Sequence, residues 1–357
     1  MLFTYAEKNT PFTLSPKSLD WHLARGWYRM GSTIFTTHFL FFDNRPYSAI
    51  WIRVDLQGFT FSRSQRKLLR KNRQHFDSEV GHGTINDERE KLYRRYAEDF
   101  DGRLSPTIRD SLEDYGDKTV FHTHDISVRE KVSGQLVACS YFDLGDESAA
   151  SILGIFDPKL RHFSLGYYTM LLEVEYCLRQ GIRYYYPGYV VPGYPRFEYK
   201  LRVGPSQYFD IRTDNWHPYP EFDPLREGPV EAQVAALSAF VREYASAGRA
   251  AALKIYPLFE AGLYDIWNDD YFPYPYMVKL EQPERKYVYV VAFDPKQRQY
   301  LLLKCRHMVQ TQLLFNAEYL RTFHSESFAT DLLAVRRVVA QSSSVVATVR
   351  HCLRTCG

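Results

Sequence analysis

Four clusters in this 357-residue chain hold residues whose types and spacing could do chemistry. The first is Arg161-His162-Phe163-Ser164-Leu165-Gly166, a small-residue loop that opens a helical pattern. The first amides of a helix have no partner inside it, and the helix dipole is positive there. Such a loop suits a phosphate or an oxyanion; an ordinary Ser N-cap gives the same local pattern. The second is a tyrosine tract, Tyr184-Tyr185-Tyr186-Pro187-Gly188-Tyr189, continued by Arg196-Phe197-Glu198-Tyr199-Lys200. Strand alternation turns some of these rings inward and others toward a cleft. Tyr199 and Lys200 would then set a hydroxyl and a cation beside the first loop; packing rings and a solvated lysine are the plainer reading. The third is the basic run 62–73, where Arg63, Arg66, Arg70 and Arg73 recur at helical spacing, with Lys67 among them. Few acids intervene, and a stripe of that density fits a phosphate backbone. The fourth is Arg25-Gly26-Trp27-Tyr28-Arg29-Met30-Gly31, a shaped loop before the first strands.

The elements that must position these clusters can be read from periodicity. Two strands over 32–42 and 47–56 flank the turn Asp43-Asn44-Arg45-Pro46. Ser62 caps a helix over 63–76, and helices follow over 87–100 and 105–112. A strand meander then covers 119–129, 135–144 and 148–156. After Asp157-Pro158 a helix runs over 164–180, ended by Gly181. Strands follow over 182–186 and 198–203. A Pro-rich passage near 217–224 marks a boundary between a domain at 1–225 and an extension at 226–357. The extension reads as a helix over 229–245, strands over 287–293 and 299–304, and a terminal helix from about 328. The pattern is α+β, with a mainly antiparallel sheet flanked by helices and a C-terminal α/β extension.

Net charge is +3, too little to specify nucleic-acid binding without a local cluster. The five Cys are scattered without a CxxC pair, so no zinc or iron–sulfur site is signalled. His122-x-His124 is a possible metal pair, with a surface strand as the alternative. The first residues lack a basic and then apolar leader, and no apolar run reaches spanning length. A soluble, cytoplasmic protein without membrane contact is expected.

GNAT-type acetyltransferases hold the coenzyme A pyrophosphate with R/Q-x-x-G-x-G/A where this chain has 161–166. Ser164 replaces the first Gly, and its Cβ crowds the closest backbone approach. In order and together, the four clusters resemble the arginyl/leucyl aminoacyl-tRNA–protein transferases. That family carries RGWRRSG, and 25–31 reads RGWYRMG. Its S-[RK]-S-Q-[RK]-[RK] run appears as SRSQRK at 62–67, followed by Asn72. Its DP and SLG appear as Asp157-Pro158 and Ser164-Leu165-Gly166; its Y-x-Y-L-G-Y and K-M-x-Y-K correspond to 184–189 and 196–200. Two departures stand out. No Cys precedes Cys139, although the family has early cysteine pairs linked to metal or iron–sulfur binding. Its F-x-P-x-E close reads Val203-Gly204-Pro205-Ser206-Gln207.

The resemblance implies a GNAT-like fold and transfer of arginine or leucine from aminoacyl-tRNA to an amino-terminal acidic residue, marking that protein for degradation. It implies no cofactor. The amides of Leu165 and Gly166 would face the oxyanion or the tRNA end, with Ser164 beside them in the catalytic set, and Tyr189 or Tyr199 would move protons. Arg29, Arg66 or Lys200 would pair with the acceptor carboxylate, and Asp157 would join the substrate site. Arg63, Lys67, Arg70 and Arg73 would follow tRNA phosphates. The rival readings are a coenzyme A-dependent GNAT acyltransferase and a non-catalytic binder of acidic amino-terminal peptides.

Overall fold

The computed structural model describes residues 2–100, 102, 104–113, 120–264, 271–280, 287–308, 321–324 and 326–356. Strands β1 (Ala6–Asn9), β2 (Tyr28–Met30) and β3 (Thr33–Thr37) form a small sheet ordered β1-β3-β2, and α1 (Pro16–Leu23) joins its first two strands. A separate hairpin, β4 (Phe39–Phe42) with β5 (Arg45–Ser48), turns at Asp43 and Asn44. Both turn residues lie at positive φ, 51° and 55°, which Asp and Asn tolerate and tight hairpins require. The expected turn is therefore present, but the long strand pair around it is not. Residues 33–37, 39–42 and 50–55 belong to three different sheets.

The principal sheet has eight strands: β6 (Ile50–Asp55), β7 (Phe76–Gly81), β8 (Thr123–Glu130), β9 (Leu136–Leu144), β10 (Ser148–Phe156), β11 (Tyr184–Val190), β12 (Ser206–Asp210) and β13 (Asn215–Pro218). Their order is β13-β12-β6-β11-β10-β9-β8-β7. Four helices flank this sheet: α2 (Arg63–His75), α3 (Asp87–Asp99), α4 (Ile108–Glu113) and α5 (Leu165–Gln180). Central strand β9 is buried along its whole length, because both of its faces are covered. Val137, Ala138 and Phe142 meet Leu69 of α2 and Leu171 of α5 on one side. Leu136, Cys139 and Tyr141 meet Leu92 of α3 and Ile108 of α4 on the other. The expected α+β architecture with a mainly antiparallel, helix-flanked sheet is the observed one.

Only β10 and β11 pair in parallel, and only over Ser148–Ala150 against Tyr184–Tyr186. Both strands carry irregularities just beyond that point, β10 between Ser151 and Leu153 and β11 between Tyr185 and Gly188. Each strand continues without the other, so the sheet splays open at its centre. Helix α5 connects the two strands. It ends as expected at Gly181, whose φ of 73° is left-handed.

After α6 (Pro224–Glu227) and α7 (Pro229–Ser246), five strands form a second antiparallel sheet. They are β14 (Leu253–Ile255), β15 (Tyr276–Leu280), β16 (Val288–Asp294), β17 (Gln299–His307) and β18 (Leu333–Ser342), and α8 (Val345–Cys356) follows. The helix expected from about 328 is corrected: a ten-residue strand precedes a shorter helix, since Tyr300–His307 offers it a partner edge. Helices α7 and α8 cover one face through Leu237, Phe240, Val349 and Cys352. The other face is continuous with the first part of the chain, where Tyr5, Phe39 and Trp51 share a core with Phe259, Tyr274, Val290 and Leu303. Tyr5 Oη donates to Asp294 Oδ1 at 2.6 Å across this contact. No helix among the described residues is long and apolar enough to cross a membrane.

Candidate active site

The splay between β10 and β11 holds a cavity of about 1080 Å3. Ser151–Gly154 and Phe156 of β10, Pro187 of β11 and the first turns of α5 wall it. Phe42, Asp43 and Asn44 of the hairpin, Tyr96 and Phe100 near the end of α3, and Tyr194, Arg196, Phe197, Tyr199 and Lys200 complete the rim. The lining is rich in aromatic and aliphatic side chains with a few polar groups among them, as small-molecule sites usually are.

Ser164 is not the ordinary N-cap that its sequence position allows. It adopts left-handed φ 52° and ψ 45°, and its side chain makes no capping hydrogen bond. The first amides of the sixteen-residue α5 therefore lack a side-chain partner, and Ser164 and Gly166 line the cavity. Leu165 between them is not part of the lining, and its side chain is fully buried in the core. A Cβ on Gly166 would lie 3.3 Å from the Phe156 ring, so glycine keeps this wall open.

Residues 195–202 were expected to include a strand at 198–203. Instead they form a 3-10 helix, Pro195–Arg202, because Pro195 fixes a helical φ at its start. This helix brings Tyr199 and Lys200 into the cavity wall. Lys200 Nζ donates to the Tyr189 carbonyl at 3.0 Å and lies over the Tyr189 and Phe197 rings. No carboxylate pairs with it among the described residues. Burial lowers its ammonium to about 8. Gly188 makes room for it: at φ 98°, its Cβ position would be 3.1 Å from Lys200 Nζ. The cavity walls push the Tyr199 phenol up to about 12.

Other expected site residues lie elsewhere. Arg29 is buried away from the cavity lining. Its guanidinium is held by Asp143 Oδ1 and Thr123 Oγ1 at 2.8 Å each, and by the carbonyls of Gly31 and Leu112. Four of its five N–H groups are thus engaged within the fold, and burial away from the lining keeps Arg29 from an acceptor carboxylate. Asp157 caps the turn Pro158–Phe163 through Lys159 N and meets Arg95 at 3.3 Å. Tyr189 stands behind Lys200, with its ring against Trp51 and Phe197 and its phenol pushed up to about 12. Arg66 is exposed on α2, outside the lining.

The basic helix begins as the sequence requires. Ser62 Oγ accepts from Gln65 N, and Gln65 Oε1 accepts from Ser62 N at 2.8 Å. Gln65, Leu69 and Asn72 face the fold, while Arg63, Arg66, Lys67, Arg70 and Lys71 face solvent. Arg73 is partly spent on Glu175 at 2.6 Å. Gln65 Nε2 also reaches the Val203 carbonyl at 2.8 Å and Tyr167 Oη at 3.0 Å. Tyr167 lines the cavity, so the charged stripe is fixed directly to the cavity wall.

One lining residue escaped the sequence reading. Glu173 sits on α5 with its side chain fully buried, and burial pushes its carboxyl up to about 7. Tyr185 Oη donates to its Oε2 at 2.7 Å, whereas Oε1 has no partner. Its signal was present: a single acid inside the apolar run Met170-Leu171-Leu172-Glu173-Val174. Elsewhere, the His122 and His124 rings lie 4.7 Å apart and His82 lies 5.1 Å from His124. Among the described residues, no group of three or more His, Cys, Asp or Glu is placed to hold a metal ion.

Comparison with known proteins gives this geometry a family. Residues 88–210 match the model of the arginine-tRNA-protein transferase C terminus. An aspartate/glutamate leucyltransferase of Helicobacter hepaticus is 30% identical over 191 residues, covering 52% of this chain and 76% of that one. One from Phenylobacterium zucineum is 29% identical over 170 residues, covering 46% of this chain and 65% of its own length. The L-PGS structure from Bacillus licheniformis aligns with a TM-score of 0.32 and 16% identity, over 43% of this chain and 47% of that one. The Helicobacter relative is matched over most of its length at that identity, and this chain belongs to the aminoacyl-tRNA–protein transferase family.

Proposed function

We propose that the protein transfers leucine from leucyl-tRNA to the amino-terminal Asp or Glu of a protein, marking it for degradation. The observation that carries this reading is the joining of three features. A largely apolar cavity has uncapped helix amides on one wall. A lysine that no carboxylate pairs with among the described residues stands on another. A basic helix is bonded to its rim. The relatives' names support an acidic acceptor and a leucyl donor.

The chemistry needs little more. An aminoacyl ester is already activated. Attack by the acceptor α-amine makes a C–N bond and an oxyanion, and the C–O bond to the ribose then breaks. The amides at Leu165 and Gly166 stabilise the oxyanion, and Lys200 pairs with the acceptor's side-chain carboxylate. Tyr199 passes a proton to the leaving ribose oxygen. Arg63, Arg66, Lys67, Arg70 and Arg73 follow tRNA phosphates outside the cavity. A leucyl side chain matches the walls formed by Phe156, Met170, Phe197 and Ile152. An arginyl side chain would ask for a carboxylate fork, and the acids in the lining are Asp43 on the exposed hairpin tip and the half-neutral Glu173. In this reading residues 1–225 form the transferase domain and 226–357 brace it.

The reading is tested by supplying labelled leucyl-, arginyl- and phenylalanyl-tRNA with peptides beginning in Asp, Glu or Ala. Leucine incorporation into the first two peptides alone supports it. Acetylation of the same peptides from acetyl-coenzyme A would favour the coenzyme A alternative.

A further inference from the structure

The floor of the cavity holds two buried polar atoms with hydrogen-bonding capacity to spare. Glu173 Oε1 and Ser140 Oγ both belong to lining residues, and neither makes a well-aligned hydrogen bond among the described residues, although the Ser140 hydroxyl lies close enough to the Glu173 carboxyl to stabilise its charge. Buried polar atoms are almost always paired, and one left without a good partner is costly. Two together at the bottom of an open cavity mark a place where a ligand's donor completes the network.

The donor must be cationic or neutral, since a carboxyl is the principal acceptor there. Glu173 cannot swing away to solvent. Its Oε2 holds Tyr185 Oη at 2.7 Å, and α5 buries the rest of its stem. The ionisable groups facing it are Tyr28 on β2, Cys139 on β9, Cys177 on α5, Tyr185 on β11 and Tyr199 on the 3-10 helix. All five are shifted upward and stay neutral around pH 7, so none of them competes as a base or supplies a countercharge.

We propose that Glu173 is the general base of the transfer, taking a proton from the acceptor's α-ammonium at its free Oε1 while Ser140 Oγ accepts a second N–H. This rests on the aminoacyl-tRNA reading of the cavity. The balance is as follows. The ammonium gives one proton to the Glu173 carboxylate and becomes a neutral amine. The amine attacks the ester carbonyl, forming C–N. As the C–O bond breaks, Tyr199 gives its proton to the ribose oxygen and takes up the second nitrogen proton. The product is an amide and a free tRNA hydroxyl, and Glu173 releases its proton to water. A carboxyl held near 7 by burial is matched to this task. A base tuned toward the operating pH transfers protons most effectively.

The test is the pH dependence of leucine transfer by wild type and Glu173→Gln, which keeps a hydrogen-bond acceptor for Tyr185. For Glu173→Gln, kcat at pH 7 should fall by about 10²–10⁴-fold. The deficit should narrow by roughly tenfold between pH 7 and pH 9, as the neutral fraction of the acceptor amine rises. Hydroxylamine, a nucleophile already neutral at pH 7, should discharge leucyl-tRNA on variant and wild type within about twofold, because it needs no base. A variant that transfers leucine to the peptide with wild-type kcat across the range would overturn the proposal. So would a variant equally impaired with hydroxylamine, which would give Glu173 a role in building the site. If wild type itself moves no leucine from tRNA, the reading beneath the proposal fails with it, and that result is visible without the variant.

Discussion

Gln65 on the basic helix and Tyr167 on α5 are joined by a hydrogen bond of 3.0 Å, from Gln65 Nε2 to Tyr167 Oη. Tyr167 Oη in turn donates to the Arg202 carbonyl at 2.6 Å. The same glutamine caps its own helix through Oε1. One side chain thus sets where the helix starts and how it leans on the cavity. Gln65→Ala should destabilise the protein by about 1–3 kcal/mol, since it strips a cap and leaves the Val203 carbonyl short of a donor. A denaturant titration reads that loss, and tRNA affinity should weaken with it.

The outward face of α2 is a separate matter. Arg66 and Arg70 are exposed and make no ion pair among the described residues. Arg66→Ala with Arg70→Ala should leave stability within about 0.5 kcal/mol. The slope of log affinity for tRNA against log salt should flatten by about 1.4–1.8, the value for two lost phosphate contacts. An unchanged slope would remove α2 from the tRNA path.

Lys200 gives the acceptor site its pH limit. Its ammonium loses its proton near 8, because burial disfavours the charge. Below that pH the cation can hold a carboxylate; above it the attraction fades. KM for an Asp-starting peptide should therefore rise between pH 7 and 9, and Lys200→Met should raise it at pH 7 and abolish the trend. Gly188→Ala should act on the same group, because its Cβ would press on Lys200 Nζ from a left-handed backbone. A cost of about 1–3 kcal/mol is expected for that strain.

Glu173 should also mark the stability curve. Its carboxyl is raised from 4.5 to about 7 by burial. The folded state binds its proton more tightly than the unfolded chain does. The contribution is fully present below pH 4.5 and is lost as pH rises through 7. Glu173→Gln should remove a pH-dependent term on the order of 3 kcal/mol, so that stability between pH 5 and 8 becomes flatter. Glu260, also pushed up to about 7 by burial, leaves a residual slope of the same sign.

Much of this architecture was legible in the residues. The Ser62–Gln65 box, the Asp43-Asn44 turn and Gly181 are local signals, and each specifies backbone geometry through its own side chain or lack of one. What failed depended on distant partners. Residues 333–342 form a strand because β17 stands ready to pair with them, which their own pattern does not announce. Residues 195–202 alternate ring and charge like a strand, yet Pro195 starts a 3-10 turn. Arg29 looked available because its partners, Asp143 and Thr123, lie about a hundred residues away. Glu173 was overlooked because a lone acid in an apolar helix is a weak mark until the splay of β10 and β11 shows what it faces.

The most direct test of the account is transfer of labelled leucine from leucyl-tRNA to a peptide beginning with Asp, by the wild-type chain and by Lys200→Met. Wild type should label the Asp-starting peptide and leave an Ala-starting peptide unlabelled, and the variant should show a raised KM. Equal labelling of Asp- and Ala-starting peptides, or no labelling of either, would contradict it.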